Sequence, residues 1–335
     1  MKLVWGTREL VLREPFRISR AVMTGRTAVE VVVEHRGHLG RGEVVTSGFH
    51  RLDVPGITAV LTGWQPVVER VSDPADLLDL LPAGPPGVRA ACDAAVHDLL
   101  GRIAGKPLHE LLGLPEWTDV PTACTIGITP PSEAAAKAEE LVGKGFRVLK
   151  VKAGDEQDEA RLRVVRHAAP DARLLLDPNG AWTPEQAVRF LDRTADLRLD
   201  AVEQPTAPGN PDRLAWVAAR TAVPVVADED AATAHDVRGL GGAVAGVNVK
   251  LVKCGGVRAA REVLAAAAAG GLDVMLGCLV ASSLGIAPAA HLAARARWVD
   301  LDGHLLLDRD PWTGIGGEGG LLRPSGLPGL GVLRR

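Results

Sequence analysis

The chain of 335 residues carries 38 Lys and Arg against 41 Asp and Glu, a formal net charge of −3. That balance supplies no basic field, and no Lys/Arg run is interleaved with aromatic residues, so a nucleic-acid partner is not expected. The opening MKLVWGTREL lacks a charged start ahead of a long apolar stretch, and the Ala-rich run 264–270 is too short to span a bilayer, so a soluble cytoplasmic protein with no membrane attachment is expected.

In chain order, residues 1 to about 45 read as strands and a hairpin: Glu30-Val-Val-Val-Glu34 is β-branched, and Gly37 to Gly42 supplies turn chemistry. Asp73-Pro-Ala-Asp-Leu-Leu opens a helix with a cap and an early proline, and Pro86 to Ala104 has helical apolar spacing that Gly105 ends. This part, residues 1–115, predicts a small α+β capping domain. From Val120 onward, short Val/Leu/Ile runs alternate with Ala-rich helical stretches, the pattern of βαβ units and a parallel sheet. The runs end near Thr125, Lys152, Asp177, Glu203, Asp228, Lys250, Gly277 and Asp302, at intervals of 22 to 27 residues. Eight such units predict a barrel over residues 116–312. After Asp302 the chain turns Gly- and Pro-rich instead of forming an eighth helix, so residues 313–335 are expected to return to the capping domain.

Strand ends of a parallel barrel surround its functional mouth, and side chains two apart on a strand face the same way. Asp177, Glu203 and Asp228 end three consecutive strands and offer hard oxygen ligands to one small cation such as Mg²⁺, with Mn²⁺ as a substitute. Any one of them alone is as readily a helix cap or a surface acid; three in register are not. The chain has eight lysines against thirty arginines, yet Lys150, Lys152, Lys250 and Lys253 all lie in two otherwise apolar strand runs. Arginine cannot serve as a base here, whereas a lysine beside a metal and other cations can be shifted toward neutrality; the competing reading is a lysine paired to the acidic cluster. Strands two and six face each other across a barrel of eight, so Lys152 and Lys250 can flank one substrate carbon. Two bases so placed suit a racemase or epimerase: one removes a proton, the other returns one from the opposite side, and a metal stabilises the enediolate. Lys150 assists electrostatically, and Lys253, of opposite parity to Lys250, is structural. Four scattered cysteines and nine histidines show no ligand spacing, and the one G-x-G-x-x-G match, Gly314 to Gly319, opens no helix and reads as a turn.

The motifs Leu149-Lys-Val-Lys152, Asp177-Pro-Asn-Gly-Ala-Trp182, Glu203-Gln-Pro205, Ala227-Asp-Glu229 and Asn248-Val-Lys-Leu-Val-Lys-Cys-Gly-Gly256 resemble the muconate-lactonising subgroup of the enolase superfamily across essentially the whole chain. The resemblance implies a (β/α)7β barrel under an α+β cap, Mg²⁺ on Asp177, Glu203 and Asp228 with Asn179, Glu229 and Asn248 behind them, and acid/base lysines at Lys152 and Lys250. Val299-Asp-Leu-Asp-Gly303 looks like the motif of dipeptide epimerases, where such acids hold the substrate's α-ammonium, which assigns that role to Asp300 and Asp302. The segment Phe16 to Thr27 is expected as a loop over the mouth in which Met23 and Arg20 meet the substrate side chain, with an uncharged C-terminal residue favoured. Ala281 replaces a glutamate common among relatives, and Asp230 a serine. The competing functions are an N-acylamino acid racemase or o-succinylbenzoate synthase-like enzyme, whose substrates lack a free ammonium, and a non-catalytic barrel that binds a small acid. A homo-oligomer is compatible with all three.

Overall fold

The computed structural model describes all residues 1–335. Three antiparallel strands, β1 (Lys2–Ile18), β2 (Ala21–His35) and β3 (His38–Val45), form a meander in the order β1-β2-β3. Helices α1 (Val54–Arg70), α2 (Pro74–Leu80) and α3 (Pro86–Ala104) follow. Asp53 and Asp73 cap α1 and α2 by accepting from Gly56 N and Ala75 N, and Gly105 ends α3 at φ 67°. Nineteen buried apolar residues, among them Val31, Leu61, Trp64 and Leu99, fuse this sheet and these helices into one core.

Two details differ from the sequence expectation. The turn between β2 and β3 is only Arg36 and Gly37, both with positive φ, whereas Gly40 and Gly42 lie inside β3. They serve packing: a Cβ on either would fall 2.0 Å from a carbonyl oxygen of α3, Ala95 for Gly40 and Ala91 for Gly42. The segment Phe16 to Thr27 is no loop but the tip of the β1-β2 hairpin, in which Phe16 pairs with Met23 and Ile18 with Ala21, beyond a register irregularity between Val11 and Phe16.

Eight parallel strands follow in sequential order: β4 (Ala123–Ile126), β5 (Val148–Lys152), β6 (Arg173–Asp177), β7 (Ala201–Glu203), β8 (Val225–Ala227), β9 (Gly246–Val249), β10 (Asp273–Gly277) and β11 (Trp298–Asp300). A helix follows every strand but the last, giving a (β/α)7β barrel. The ladder does not run between β11 and β4. Side chains close that seam instead: Leu301 N donates to Thr122 Oγ1 at 3.1 Å, and Thr125 N to Asp302 Oδ2 at 2.7 Å. Inside, Ala123, Val148, Leu175, Ala201, Val226, Met275 and Trp298 fill the lower layer. Gly246 makes room for the Trp298 ring, which an added Cβ would approach to 3.0 Å. Two residues on, the same strands present the polar layer of the mouth.

Beyond the barrel, Trp312–Thr313 pairs with Leu333–Arg334, and Leu321–Leu322 pairs with Val120–Pro121. Leu330 N donates to the buried Asp98 of α3 at 2.8 Å, tying the tail to the N-terminal unit. No helix is long and apolar enough to cross a membrane.

Candidate active site

The period of two on the barrel strands carries Thr125, Lys150, Lys152, Asp177, Glu203, Asn248 and Asp300 inward above the apolar layer, and all are buried. Lys150 Nζ lies 2.5 Å from Glu203 Oε2, 2.7 Å from Asp300 Oδ2 and 3.0 Å from Asp177 Oδ2. Lys152 Nζ donates to Asp177 Oδ2 at 2.5 Å, and Lys250 Nζ to Asp228 Oδ2 at 2.7 Å. Gly277 gives Lys250 its path, since a Cβ there would sit 2.8 Å from the lysine's Cε. Asn248 Nδ2 donates to Glu203 Oε1 at 2.7 Å, and Asn179, at φ 51°, gives Asp177 Oδ1 its backbone N–H at 2.9 Å.

Lys253 does not continue a strand. The chain leaves β9 at Val249 and turns helically over Leu251–Cys254. This places Lys253 Nζ against Asp228 Oδ1 at 2.7 Å and the carbonyls of Asn248, Ala231 and Asp228. The structural role expected of it rests on this full set of acceptors and not on strand parity.

The three strand-end carboxylates are not gathered into a ready group of oxygens around one point. Ammonium groups stand among them, and each carboxylate turns to its nearest lysine. Lys150 and Lys250 are accordingly not shifted toward neutrality. Burial alone would lower Lys150 and Lys250, but Asp177, Asp300 and Glu203 around the first and Asp228 and Glu203 around the second hold both above the ordinary lysine range. Burial likewise works to raise Asp228, yet Lys250 and Lys253 keep it well below the carboxylate range. Glu203 is pushed up by burial and by Asp177, and Glu229 to about 7 by burial and Asp228.

Asp300 and Asp302 are both buried at the foot of the mouth. Asp300 Oδ2 is held by Lys150 while its Oδ1 has no partner, and Asp302, which caps the Thr125 N–H, is pushed up to about 6 by burial and then by Asp300.

Above these groups a cavity of about 700 Å³ opens between hairpin tip and barrel, lined by Lys152 and Lys250 from opposite sides, with Phe16, Met23 and Leu279 forming apolar wall. Asp300 and Asp302 do not line it. Arg20 reaches down from the tip to Glu229 Oε1 at 2.6 Å and stacks on Phe49. Sequence reasoning missed the segment 46–53, whose His50, lowered to about 4 by burial and Lys250, also lines the cavity. No spacing signal marks it, because its position depends on how the N-terminal unit sits on the barrel. Asp230 braces the strand ends from behind. Its two oxygens accept from Gln204 Nε2 at 2.8 Å and Gly209 N at 2.6 Å, and Gln204 in turn accepts from Asp228 N at 2.9 Å.

Residues 4–113 match the mandelate racemase / muconate lactonizing enzyme N-terminal domain, and residues 133–333 match the family described as enolase C-terminal domain-like. A hydrophobic dipeptide epimerase of Roseobacter litoralis is 34% identical over 99% of this chain and 98% of its own. An L-Ala-D/L-Glu epimerase of Bacteroides thetaiotaomicron is 32% identical over 100% of this chain and 88% of its own. Among solved structures, a dipeptide epimerase from Enterococcus faecalis, complexed with Mg and L-Leu-L-Tyr, superposes with a TM-score of 0.94 at 32% identity, covering 99% of this chain and 98% of that one.

Proposed function

The chain belongs to the mandelate racemase / muconate lactonizing enzyme family of the enolase superfamily, and from that premise we propose that it is a metal-dependent dipeptide epimerase. The observation that carries the reading is the pair of lysines, Lys152 on β5 and Lys250 after β9, lining one cavity from opposite sides of the barrel. One removes the α-proton of the C-terminal residue and the ammonium of the other delivers a proton to the opposite face, so configuration inverts at that carbon. Lys150, buried among Asp177, Glu203 and Asp300, adds fixed positive charge below the substrate carboxylate.

A divalent cation fits the donor set by charge. Apart from Glu229, which Arg20 pairs, five carboxylates (Asp177, Glu203, Asp228, Asp300 and Asp302) face four ammonium groups. For Lys152 or Lys250 to act as a base it must give up its proton. Three ammonium groups then oppose five carboxylates, and the deficit is two positive charges. Asp177, Glu203 and Asp228 would hold Mg²⁺, or Mn²⁺ in its place, with Asn179, Asn248 and Glu229 supporting them. When bound, the cation supplies charge that stabilises the enediolate and lowers the pKa of the nearby lysines. Asp300 and Asp302 do not line the cavity, so receiving the substrate's α-ammonium requires the ligand to reach past its floor to them, where the unpartnered Asp300 Oδ1 is the acceptor. An N-acylated amino acid brings no such cation to two buried acids, which sets the racemase alternative second.

Phe16 and Met23 favour an uncharged C-terminal side chain, since Arg20 beside them is already committed to Glu229. The test is a dipeptide library incubated in D₂O with Mg²⁺ and read by mass spectrometry. Deuterium should enter the C-terminal α-position of apolar dipeptides; uptake confined to N-acylamino acids would overturn the reading.

A further inference from the structure

Glu43 on β3 is a partly buried carboxylate that the proposed chemistry does not use. Its oxygens accept from both donors of Ser282: the backbone N–H at 2.8 Å on Oε1 and the hydroxyl at 2.5 Å on Oε2. Ser282 is the N-cap of helix Ser283–Ala290, which follows β10, and the next residue, Ser283, is held in the same way by Asp310 of the tail. The approach is tight, because a Cβ at Gly285 would fall 2.8 Å from Glu43 Oε1. The residues just before Ser282 form the wall of the mouth: Cys278, Leu279 and Val280 line the large cavity together with Lys250. Glu43, Lys250 and Cys278 also line one small cleft of about 60 Å³ between the N-terminal unit and the barrel.

We propose that Glu43 is a positioning residue: through Ser282 it fixes the segment 278–282 beside Lys250, so that seating of the N-terminal unit sets the geometry of the mouth. The ionised form holds Ser282 more firmly: a carboxylate accepts from both donors in charge-assisted bonds, whereas the protonated acid would have to give its own proton to the Ser282 hydroxyl. Burial pushes this carboxyl up to about 7 against the two Ser282 bonds, and Asp310 from the tail and Glu30 from β2, itself paired with Arg41, add to the rise. Lys250 faces it across the cleft. Because the folded-state pKa lies above the ordinary value of 4.5, ionised Glu43 costs the fold stability as pH rises through that window. Mouth order and fold stability therefore respond to acid in opposite directions. A side chain that merely held the fold together would lose both at once.

The activity arm of the test rests on the epimerase reading; the exchange arm does not. Glu43→Gln, Ser282→Ala and the double variant are compared with wild type by hydrogen exchange of segment 278–290 at pH 8, and by the pH profile of kcat/KM. Each single change should speed exchange in that segment by about tenfold, the loss of one charge-assisted bond, with the double variant no worse than either single one. Glu43→Gln should also lower kcat/KM at pH 8 and remove an acid limb near pH 7, while its thermal midpoint at pH 8 stays at or above the wild-type value. Unchanged exchange in both single variants overturns the inference, as does an unchanged pH profile in an active enzyme. If no dipeptide exchanges its α-proton with wild type, the function reading fails and the exchange arm alone decides on Glu43. Should Glu43→Gln not fold, Ser282→Ala carries both arms.

Discussion

The buried lysines of the mouth differ in how many acceptors each one satisfies, and that difference predicts unequal losses of stability for the same substitution at two positions. Lys253 Nζ meets Asp228 Oδ1 and three backbone carbonyls inside the fold. Lys253→Met keeps the aliphatic volume but strands those acceptors, and breaking such a buried pair costs about 3–5 kcal/mol. Lys152 Nζ meets one acceptor, Asp177 Oδ2, which keeps Lys150 at 3.0 Å after Lys152→Met, and the side chain borders the open cavity. Loss of that single charge-assisted bond from a carboxylate still paired costs about 1–2 kcal/mol. At about 2.1 cal/mol/K per residue this chain unfolds with an entropy of roughly 0.7 kcal/mol/K, so Tm should fall by about 4–7 °C for Lys253→Met and about 1–3 °C for Lys152→Met. Calorimetry in EDTA, which removes metal linkage, reads both. Lys152→Met should be folded yet unable to epimerise. A Lys152→Met protein as destabilised as Lys253→Met would refute the division of these lysines into a structural and a reactive one.

Mg²⁺ at about one hundred times its Kd should stabilise the fold by about 2.7 kcal/mol, and EDTA should abolish activity; a thermal midpoint indifferent to Mg²⁺ would show that no cation binds the acidic layer. Asp300→Asn and Asp302→Asn should each lower kcat/KM on a free dipeptide by about one to two orders of magnitude, from a bond worth about 1.5–3 kcal/mol, and should narrow the preference for the free amine over its N-acetyl form. An unchanged preference in both variants would transfer the reading to an N-acylamino acid racemase. Gly42→Ala places a methyl 2.0 Å from the Ala91 carbonyl oxygen, so α3 must shift at a cost of about 1–3 kcal/mol; a wild-type melting curve would contradict the close packing of β3 on that helix.

The barrel was legible because its strands recur every 22 to 27 residues and end in residues no apolar core would choose. Helix α3 was legible to the residue, with Pro86 opening it and Gly105 in the left-handed conformation closing it. Helix α1 went unread: Val54–Arg70 has a proline at its first turn, another inside, and no acid in its first turn. Lys253 was misplaced because Asn248-Val-Lys-Leu-Val-Lys is β-branched enough to read as one strand, while the helical turn at Leu251 is imposed by packing against α3. The Phe16–Thr27 hairpin reads as a loop because it follows the first strand where the resemblance to dipeptide epimerases places a capping loop, and only its pairing with β1, at thirteen positions of β2, reveals the strand. The charge state of the mouth was also beyond the sequence. Which lysine meets which carboxylate depends on distances of 2.5–3.5 Å across strands far apart in the chain.

Two-base inversion is tested most directly by following α-deuterium uptake and configuration together, on the L,L and L,D isomers of one apolar dipeptide, for wild type, Lys152→Ala and Lys250→Ala with Mg²⁺ in D₂O. Wild type should interconvert the isomers and label both, because each lysine serves one face. Each alanine variant should interconvert neither, and any residual labelling should be confined to one isomer, a different one in each variant. Normal epimerisation by both alanine variants, or labelling of the same isomer by both, would contradict the account.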